Sequence, residues 1–188
     1  MDGTMAAILG LDEGTVRTLC DEASGATGEW VQIANLNAPG QIVVSGHRLA
    51  VDAAGQLARQ RGARRVLPLK VAGAFHSRYM EPAARAFAQE VAKVPLVDGA
   101  VPVVLNLTAE PTTEAAVVRG ELEEQIVAPV RWADSVRYMA DHGCRVFVEL
   151  GPGQVLSGLI RRVAPDATVL NVEDVPSLEA AVAHLAGS

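Results

Sequence analysis

A histidine placed where a strand leaves its sheet is a candidate for proton transfer. Gly73-Ala74-Phe75-His76-Ser77 sets one just beyond the apolar run Leu67-Pro68-Leu69-Lys70-Val71. Imidazole titrates near neutrality, so an accessible ring suits a general base; taken alone, a loop histidine is more often a surface or capping residue. A base needs a nucleophile to activate, and no serine here sits in the strained elbow pattern Gly-x-Ser-x-Gly. Ser45 lies between Val43-Val44 and Gly46-His47, Ser77 follows His76 directly, and Ser157 falls inside a helical pattern. Cys20 and Cys144 read as buried structural thiols rather than activated ones. The residues offer a base without a nucleophile.

Two further groups could bind rather than react. Asn35, Asn37 and Gln41 form a polar trio in an otherwise apolar stretch. Turn-making and local side-chain bonding to the backbone account for such residues, and contact with a polar ligand is the alternative. The turn Glu149-Leu150-Gly151-Pro152-Gly153-Gln154 resembles a phosphate cradle, because free N–H groups at a helix N-terminus attract anions. It lacks the Lys-Ser/Thr of a P-loop and the glycine spacing of a dinucleotide fingerprint, so a tight structural turn is the expectation.

The elements that must position these residues read in two styles. From 5 to 71 the order is β-α-β-β-α-β, the split-βαβ or ferredoxin-like arrangement. Met5 to Leu11 is the first strand, and Asp12 caps a helix with Val16, Leu19 and Cys20 on one face. The runs 30–36 and 41–45 pair as a hairpin across Asn37-Ala38-Pro39-Gly40. A helix from His47 to Gln60 carries Leu49, Ala53 and Leu57 as its stripe, with Gly62 beyond its end, and strand 65–69 follows. After His76, helices and strands alternate as in a mainly parallel α/β layer. Pro82 starts a helix bearing Ala83, Phe87 and Val91; 101–107 and 145–150 read as strands; helices are expected over 114–125, after Trp132, and through Val155, Leu156 and Ile160. A last strand, 168–172, and a last helix, 178–185, close the chain.

Composition narrows the function classes. The chain has 188 residues, 49% of them hydrophobic, which is enough for one ordinary domain or two small ones with their own cores. Net charge is −6, and the only basic cluster is Arg59 to Arg65, so a nucleic-acid-binding face is not expected. No Cys/His group has metal-ligand spacing. Two widely separated cysteines and the absence of an apolar run of ~18 residues lead to the expectation of a soluble protein in a reducing, cytoplasmic setting, with no membrane partner.

Five stretches carry a family resemblance. Met5-Ala6-Ala7-Ile8-Leu9-Gly10-Leu11, Asn35-Leu36-Asn37-Ala38-Pro39-Gly40-Gln41, Phe75-His76-Ser77 with Met80, Gln125-Ile126-Val127-Ala128-Pro129-Val130-Arg131-Trp132 and Glu149-Leu150-Gly151-Pro152-Gly153 resemble, in order and spacing, malonyl-CoA:acyl-carrier-protein transacylases. The resemblance implies an α/β fold in which a ferredoxin-like small subdomain, residues 5–71, is followed by the C-terminal part of an α/β-hydrolase-like acyltransferase domain, residues 72–188. It implies malonyl transfer from coenzyme A to the phosphopantetheine thiol of acyl carrier protein through an acyl-serine, with no cofactor and no metal. His76 falls on the catalytic histidine, and Gln125 on the residue whose backbone carbonyl orients the imidazole in place of a carboxylate. Asn35, Asn37 and Gln41 match residues lining the cleft between subdomains. Phe75 resembles the residue that accompanies malonyl selection, and its ring would crowd a 2-methyl branch.

The departures from the family pattern are equally specific. The oxyanion-hole glutamine loop, the Gly-His-Ser-x-Gly elbow and the carboxylate-binding arginine of the family have no counterpart in these residues. The resemblance therefore implies the C-terminal portion of a transacylase, with a complementary N-terminal half as a possible partner. A non-catalytic module that holds acyl carrier protein, and an inert fragment, are the rival expectations.

Overall fold

A computed structural model describes residues 2–187, which divide after Ser135 into two compact units. In the first unit, β1 (Gly3–Leu9) leads to α1 (Glu13–Thr27). Asp12 caps that helix, its carboxylate accepting from the Thr15 N–H at 2.9 Å, and Gly28 ends it in the left-handed region at φ 71°. Val16, Leu19, Cys20 and Ala23 recur at three- and four-residue steps and are buried together. Then come β2 (Val31–Ala38), β3 (Gln41–His47), α2 (Arg48–Gln60) and β4 (Arg65–Pro68). The sheet order is β2-β3-β1-β4, with every neighbouring pair antiparallel. This is the ferredoxin-like arrangement.

Strand alternation gives the sheet two distinct faces. Ala6, Ile8, Val31, Ile33, Ile42 and Val44 form the main core with the buried sides of α1 and α2, while Met5, Ala7, Ala34 and Val43 make a smaller cluster with Leu69 on the other face. The inward side of α2 differs from the expected Leu49-Ala53-Leu57 stripe. Ala50, Val51, Ala54, Gly55 and Ala58 are the buried residues, and Leu49 is 60% exposed. Small side chains win that face because the helix lies close to the sheet: a Cβ on Gly55 would stand 3.1 Å from Val66 Cγ1.

Beyond β4 the chain passes through the histidine loop and a single 3-10 turn, Arg78–Met80, into α3 (Glu81–Val91). Only Val91 of the expected Ala83-Phe87-Val91 face is buried. The strand expected over 101–107 shrinks to β5 (Val103–Val104), paired antiparallel with β6 (Pro111–Thr112). The Leu105 N–H still reaches the Glu110 carbonyl, at 2.9 Å, but beyond it the N–H groups of Asn106 and Leu107 donate to the Glu121 carboxylate, at 2.7 and 3.1 Å, instead of to a neighbouring strand. Glu121 lies on α4 (Ala115–Glu124). Residue 130 then runs beside β2, the Leu36 N–H donating to the Val130 carbonyl at 2.9 Å and the Val130 N–H to the Ala34 carbonyl at 2.8 Å. The chain enters α5 (Trp132–Asp141).

In the second unit, β7 (Val146–Leu150), α6 (Val155–Val163) and β8 (Thr168–Val172) form a parallel β-α-β unit, followed by α7 (Val175–Ala186). Of β7 only Phe147 is buried, and Leu150 is 77% exposed. Cys144, expected to be buried, is exposed, because it lies in the loop leading to β7 and not on a packed element. On α6, Ile160 is buried while Val155 and Leu156 are exposed.

The closest backbone approach in the ferredoxin-like sheet is at Gly46, where a Cβ would fall 2.1 Å from the Trp30 carbonyl oxygen and 2.7 Å from Val31 Cα. Gly46→Ala is expected to destabilise the chain by at least ~1–3 kcal/mol, the usual cost of forcing atoms into a packed site. Gly120→Ala, in α4 with nothing within 4 Å of the added methyl, is expected to stabilise by ~0.4–1 kcal/mol. Urea unfolding followed by circular dichroism measures both; similar midpoints for the two variants would contradict this account.

Candidate active site

The histidine loop is built from buried small residues. Ala74 is 3% exposed and lies so near β1 that a Cβ on Gly3 would stand 2.9 Å from the Ala74 nitrogen. Ser77 is fully buried; its hydroxyl donates to the Ala74 carbonyl at 2.6 Å and accepts from the Tyr79 N–H at 3.3 Å. Between these anchors His76 takes φ 55°, in the left-handed region. For a residue other than glycine this costs on the order of 1–3 kcal/mol and persists only where surrounding contacts enforce it.

His76 Nδ1 lies 3.0 Å from the backbone carbonyl oxygen of Gln125. A carbonyl can only accept, so the bond requires the ring proton on Nδ1, which leaves the Nε2 lone pair available for proton abstraction. Gln125 is held in turn. Its N–H donates to the Glu121 carbonyl at 2.9 Å as the last turn of α4 closes, and its side-chain oxygen accepts from Asn106 Nδ2 at 3.0 Å. Asn106 is fixed by Glu121 through its N–H and by the Arg131 N–H, which donates to its carbonyl at 2.9 Å. Asn106 and Glu121 escape a reading by motif. The available signal is that Asn106 interrupts the apolar run Val103-Val104-Leu105, where a polar side chain needs a partner.

The remaining sequence-derived candidates sit on β2, on β3 and in the histidine loop. Two bulges break β2, at Ala34 and at Asn37, where the register with β3 skips a residue. Without the first bulge, alternation would point Asn35 into the main core beneath α1 and α2. With it, Asn35 stands opposite Val43, on the sheet face shared by Gln32 and Gln41. That is the face from which Gln32 reaches the His76 backbone carbonyl at 3.2 Å. Asn35, Asn37 and Gln41 are all half-buried, and Asn37 occupies the second bulge. Phe75 is 42% exposed beside His76. Burial pushes the Cys20 thiol up to about 12, so no thiolate forms there near neutrality. Among the described residues no cluster of three or more His, Cys, Asp or Glu could hold a metal ion.

The acyl transferase domain family matches residues 3–185. The chain belongs to that family. Malonyl CoA-acyl carrier protein transacylases of Bacillus subtilis (strain 168) and Escherichia coli (strain K12) are each 40% identical to it, over 184 and 180 residues. These matches cover 98% and 96% of this chain but 58% of each relative. Among solved structures, a malonyl-transacylase in complex with its type II PKS acyl-carrier protein superposes with a TM-score of 0.92 at 34% identity, covering 97% of this chain and 59% of that one. An acyl carrier protein S-malonyltransferase from Vibrio cholerae gives 0.91 at 37% identity, covering 96% and 58%. The chain thus spans less than two thirds of the length of these relatives and shares their fold over that span.

In the second unit, the turn 149–154 has the structural role expected of it. Gln154 precedes α6 without capping it, and Glu149, at the end of β7, does so instead. Its carboxylate accepts from the Ser157 hydroxyl, from the Ser157 N–H at 2.7 Å and from the Leu156 N–H at 3.0 Å, occupying the donors an external anion would need. The Ser157 hydroxyl bond is the chief reason its pKa lies below the ordinary 4.5, with the Ser157 and Leu156 amides adding to it. A carboxylate with a lowered folded pKa contributes stability above its unfolded pKa and loses that contribution as pH falls through the folded value. Glu149→Gln is therefore expected to lower the melting temperature at pH 7, by a margin that narrows steadily as the pH falls below 4.5. Melts from pH 7 to pH 2.5 measure it; a margin independent of pH would show that the charge contributes nothing.

Proposed function

We propose that this chain supplies the histidine of a Ser-His malonyl transfer, from malonyl-CoA to the phosphopantetheine thiol of an acyl carrier protein, in fatty-acid or polyketide synthesis. The observation that carries the reading is the His76 Nδ1 to Gln125 carbonyl pair at 3.0 Å, which leaves Nε2 as the base. In the first half-reaction Nε2 takes the proton of a serine hydroxyl as its oxygen bonds to the thioester carbon. The imidazolium then gives that proton to the coenzyme A sulfur as the C–S bond breaks. In the second half, Nε2 takes the pantetheine thiol proton as sulfur attacks the acyl-serine, and returns it to the departing serine oxygen. A neutral carbonyl suffices to orient the ring, because imidazolium is transient in both halves. Each step exchanges one acyl bond for another without a change of oxidation state, and the reading assigns no cofactor beyond the two thiol substrates.

None of the serines in these 188 residues sits in an elbow, so on this reading the nucleophile comes from residues outside them. The second unit supports a companion polypeptide segment. Parallel sheets are ordinarily covered on both faces, yet the parallel pair of β7 and β8 leaves Val148 38% and Leu150 77% exposed. The malonyl CoA and acyl carrier protein in the relatives' names support the substrate and the partner. Asn35, Asn37 and Gln41 are assigned polar contact with the acyl or pantetheine portion, and Phe75 the exclusion of a 2-methyl branch. The division of the chain into a small subdomain, 5–71, and part of a larger domain, 72–188, belongs to the same reading, as does a cytoplasmic location; no helix of the described residues is long and apolar enough to cross a membrane.

The 188-residue polypeptide alone is expected to transfer malonyl at background, since loss of the nucleophile costs about a million-fold in a serine hydrolase. Supplied with a complementary segment bearing the serine elbow, it should become active, and His76→Ala should then lower kcat by ~10²–10⁴. A radiolabelled malonyl-CoA assay decides this, and full activity in either the lone polypeptide or the complemented His76→Ala variant would remove the reading. In the complemented enzyme, Phe75→Ser should raise the methylmalonyl to malonyl rate ratio by roughly 10–200-fold, the range for one carbon in an apolar pocket. An unchanged ratio in competition assays would take Phe75 out of substrate selection.

A further inference from the structure

Gln32 makes four hydrogen bonds through one side-chain amide. Its Nε2 donates to the His76 carbonyl and to the Val127 carbonyl, each at 3.2 Å. Its Oε1 accepts from the Arg78 N–H at 3.2 Å and from the Trp30 indole N–H at 3.1 Å. That uses both donors and both lone pairs of the group. The partners come from three places in the chain: the start of β2, the histidine loop on both sides of Ser77, and the turn two residues past Gln125. Gln32 therefore ties together the backbone that carries the imidazole and the backbone that carries its acceptor.

We infer that Gln32 is a positioning residue for His76, holding its left-handed backbone and the Gln125 segment at the separation that fixes the ring tautomer. His76 at φ 55° needs external enforcement, and the Gln32 bonds grip the loop at the His76 carbonyl and at the Arg78 amide, on either side of the Ser77 anchor. The bond to Val127 prevents the acceptor segment from drifting when the loop moves. The indole bond sets which way the amide faces: Trp30 can only donate, so it takes the oxygen and leaves the nitrogen for the two carbonyls. Above the same loop the Arg78 guanidinium lies 4.8 Å from the Trp30 ring centre, so the indole is itself held by the residue whose amide Gln32 binds. Catalytic consequences rest on the malonyl-transfer reading, whereas the ring state does not.

The test uses the 188-residue chain with ¹⁵N-labelled histidine and reads the His76 tautomer from two-bond ¹H–¹⁵N correlations, with circular dichroism melts as a check on folding. The unmodified chain should show His76 protonated at Nδ1. Gln32→Ala should shift the ring toward a tautomer mixture. Gln32→Glu keeps the size and both acceptor contacts but replaces the two donors, and it should shift the ring at least as far; should Gln32→Ala fail to fold, this variant carries the test alone. Folded variants with the unmodified tautomer, whatever their melting temperatures, would overturn the inference. In the complemented enzyme the same substitutions should lower kcat by up to about a hundredfold with little change in KM. A displaced ring without a fall in kcat would leave the brace standing and count against His76 as the base.

Discussion

A neutral acceptor holding an imidazole imposes a demand that a carboxylate does not. A carboxylate draws a ring N–H by charge over a range of angles, whereas a peptide carbonyl offers only a directional hydrogen bond. The acceptor must therefore be placed by the fold. Around Gln125 this placement comes from a relay of ordinary bonds: Glu121 binds the Asn106 amide, Asn106 binds the Gln125 side chain, and the end of α4 fixes the Gln125 backbone. On the other side Gly3, Ala74 and Ser77 form the floor on which His76 stands. Segments from β1, the histidine loop, the stretch after β5 and α4 thus converge on the distance between one ring nitrogen and one oxygen.

Where local chemistry decides the outcome, the sequence was legible. Asp12 and the Val16-Leu19-Cys20 face specify the start and the buried side of α1, and β-rich runs around Pro39-Gly40 specify the hairpin. The histidine and its carbonyl partner followed from the family resemblance, since no spacing rule links residues 49 positions apart. What stayed hidden depends on tertiary packing. The buried face of α2 is set by how close its backbone lies to Val66, and Leu49 is left outside despite its size. The break in the apolar run at Asn106 signals the need for a partner, but no spacing names Glu121, 15 residues on, whose carboxylate helps to cut β5 short. Phe87 and Leu150 read as core residues by type, yet both are exposed.

The second unit shows a different limit. Periodicity located β7, α6, β8 and α7 to within a few residues, but could not say how much of each would be covered. Glu149 illustrates the difference between a motif and its use. The Gly151-Pro152-Gly153 turn has the look of an anion site, and the anion it serves is the chain's own carboxylate, five residues before Gln154.

The two bulges in β2 also change how that strand encodes its faces. Between them the parity of the strand is inverted: Gln32, Asn35 and Ala38 share one side of the sheet at a spacing of three, a rhythm that belongs to a helix, although the segment is extended throughout. The strand therefore behaves as a ratchet with two fixed teeth. Removing Ala34 would send Asn35 under the helices or turn Gln32 away from the histidine loop, depending on which end kept its register. Single-residue insertions and deletions here would accordingly exchange the roles of whole faces, while substitutions at the same positions leave the phase of the strand intact.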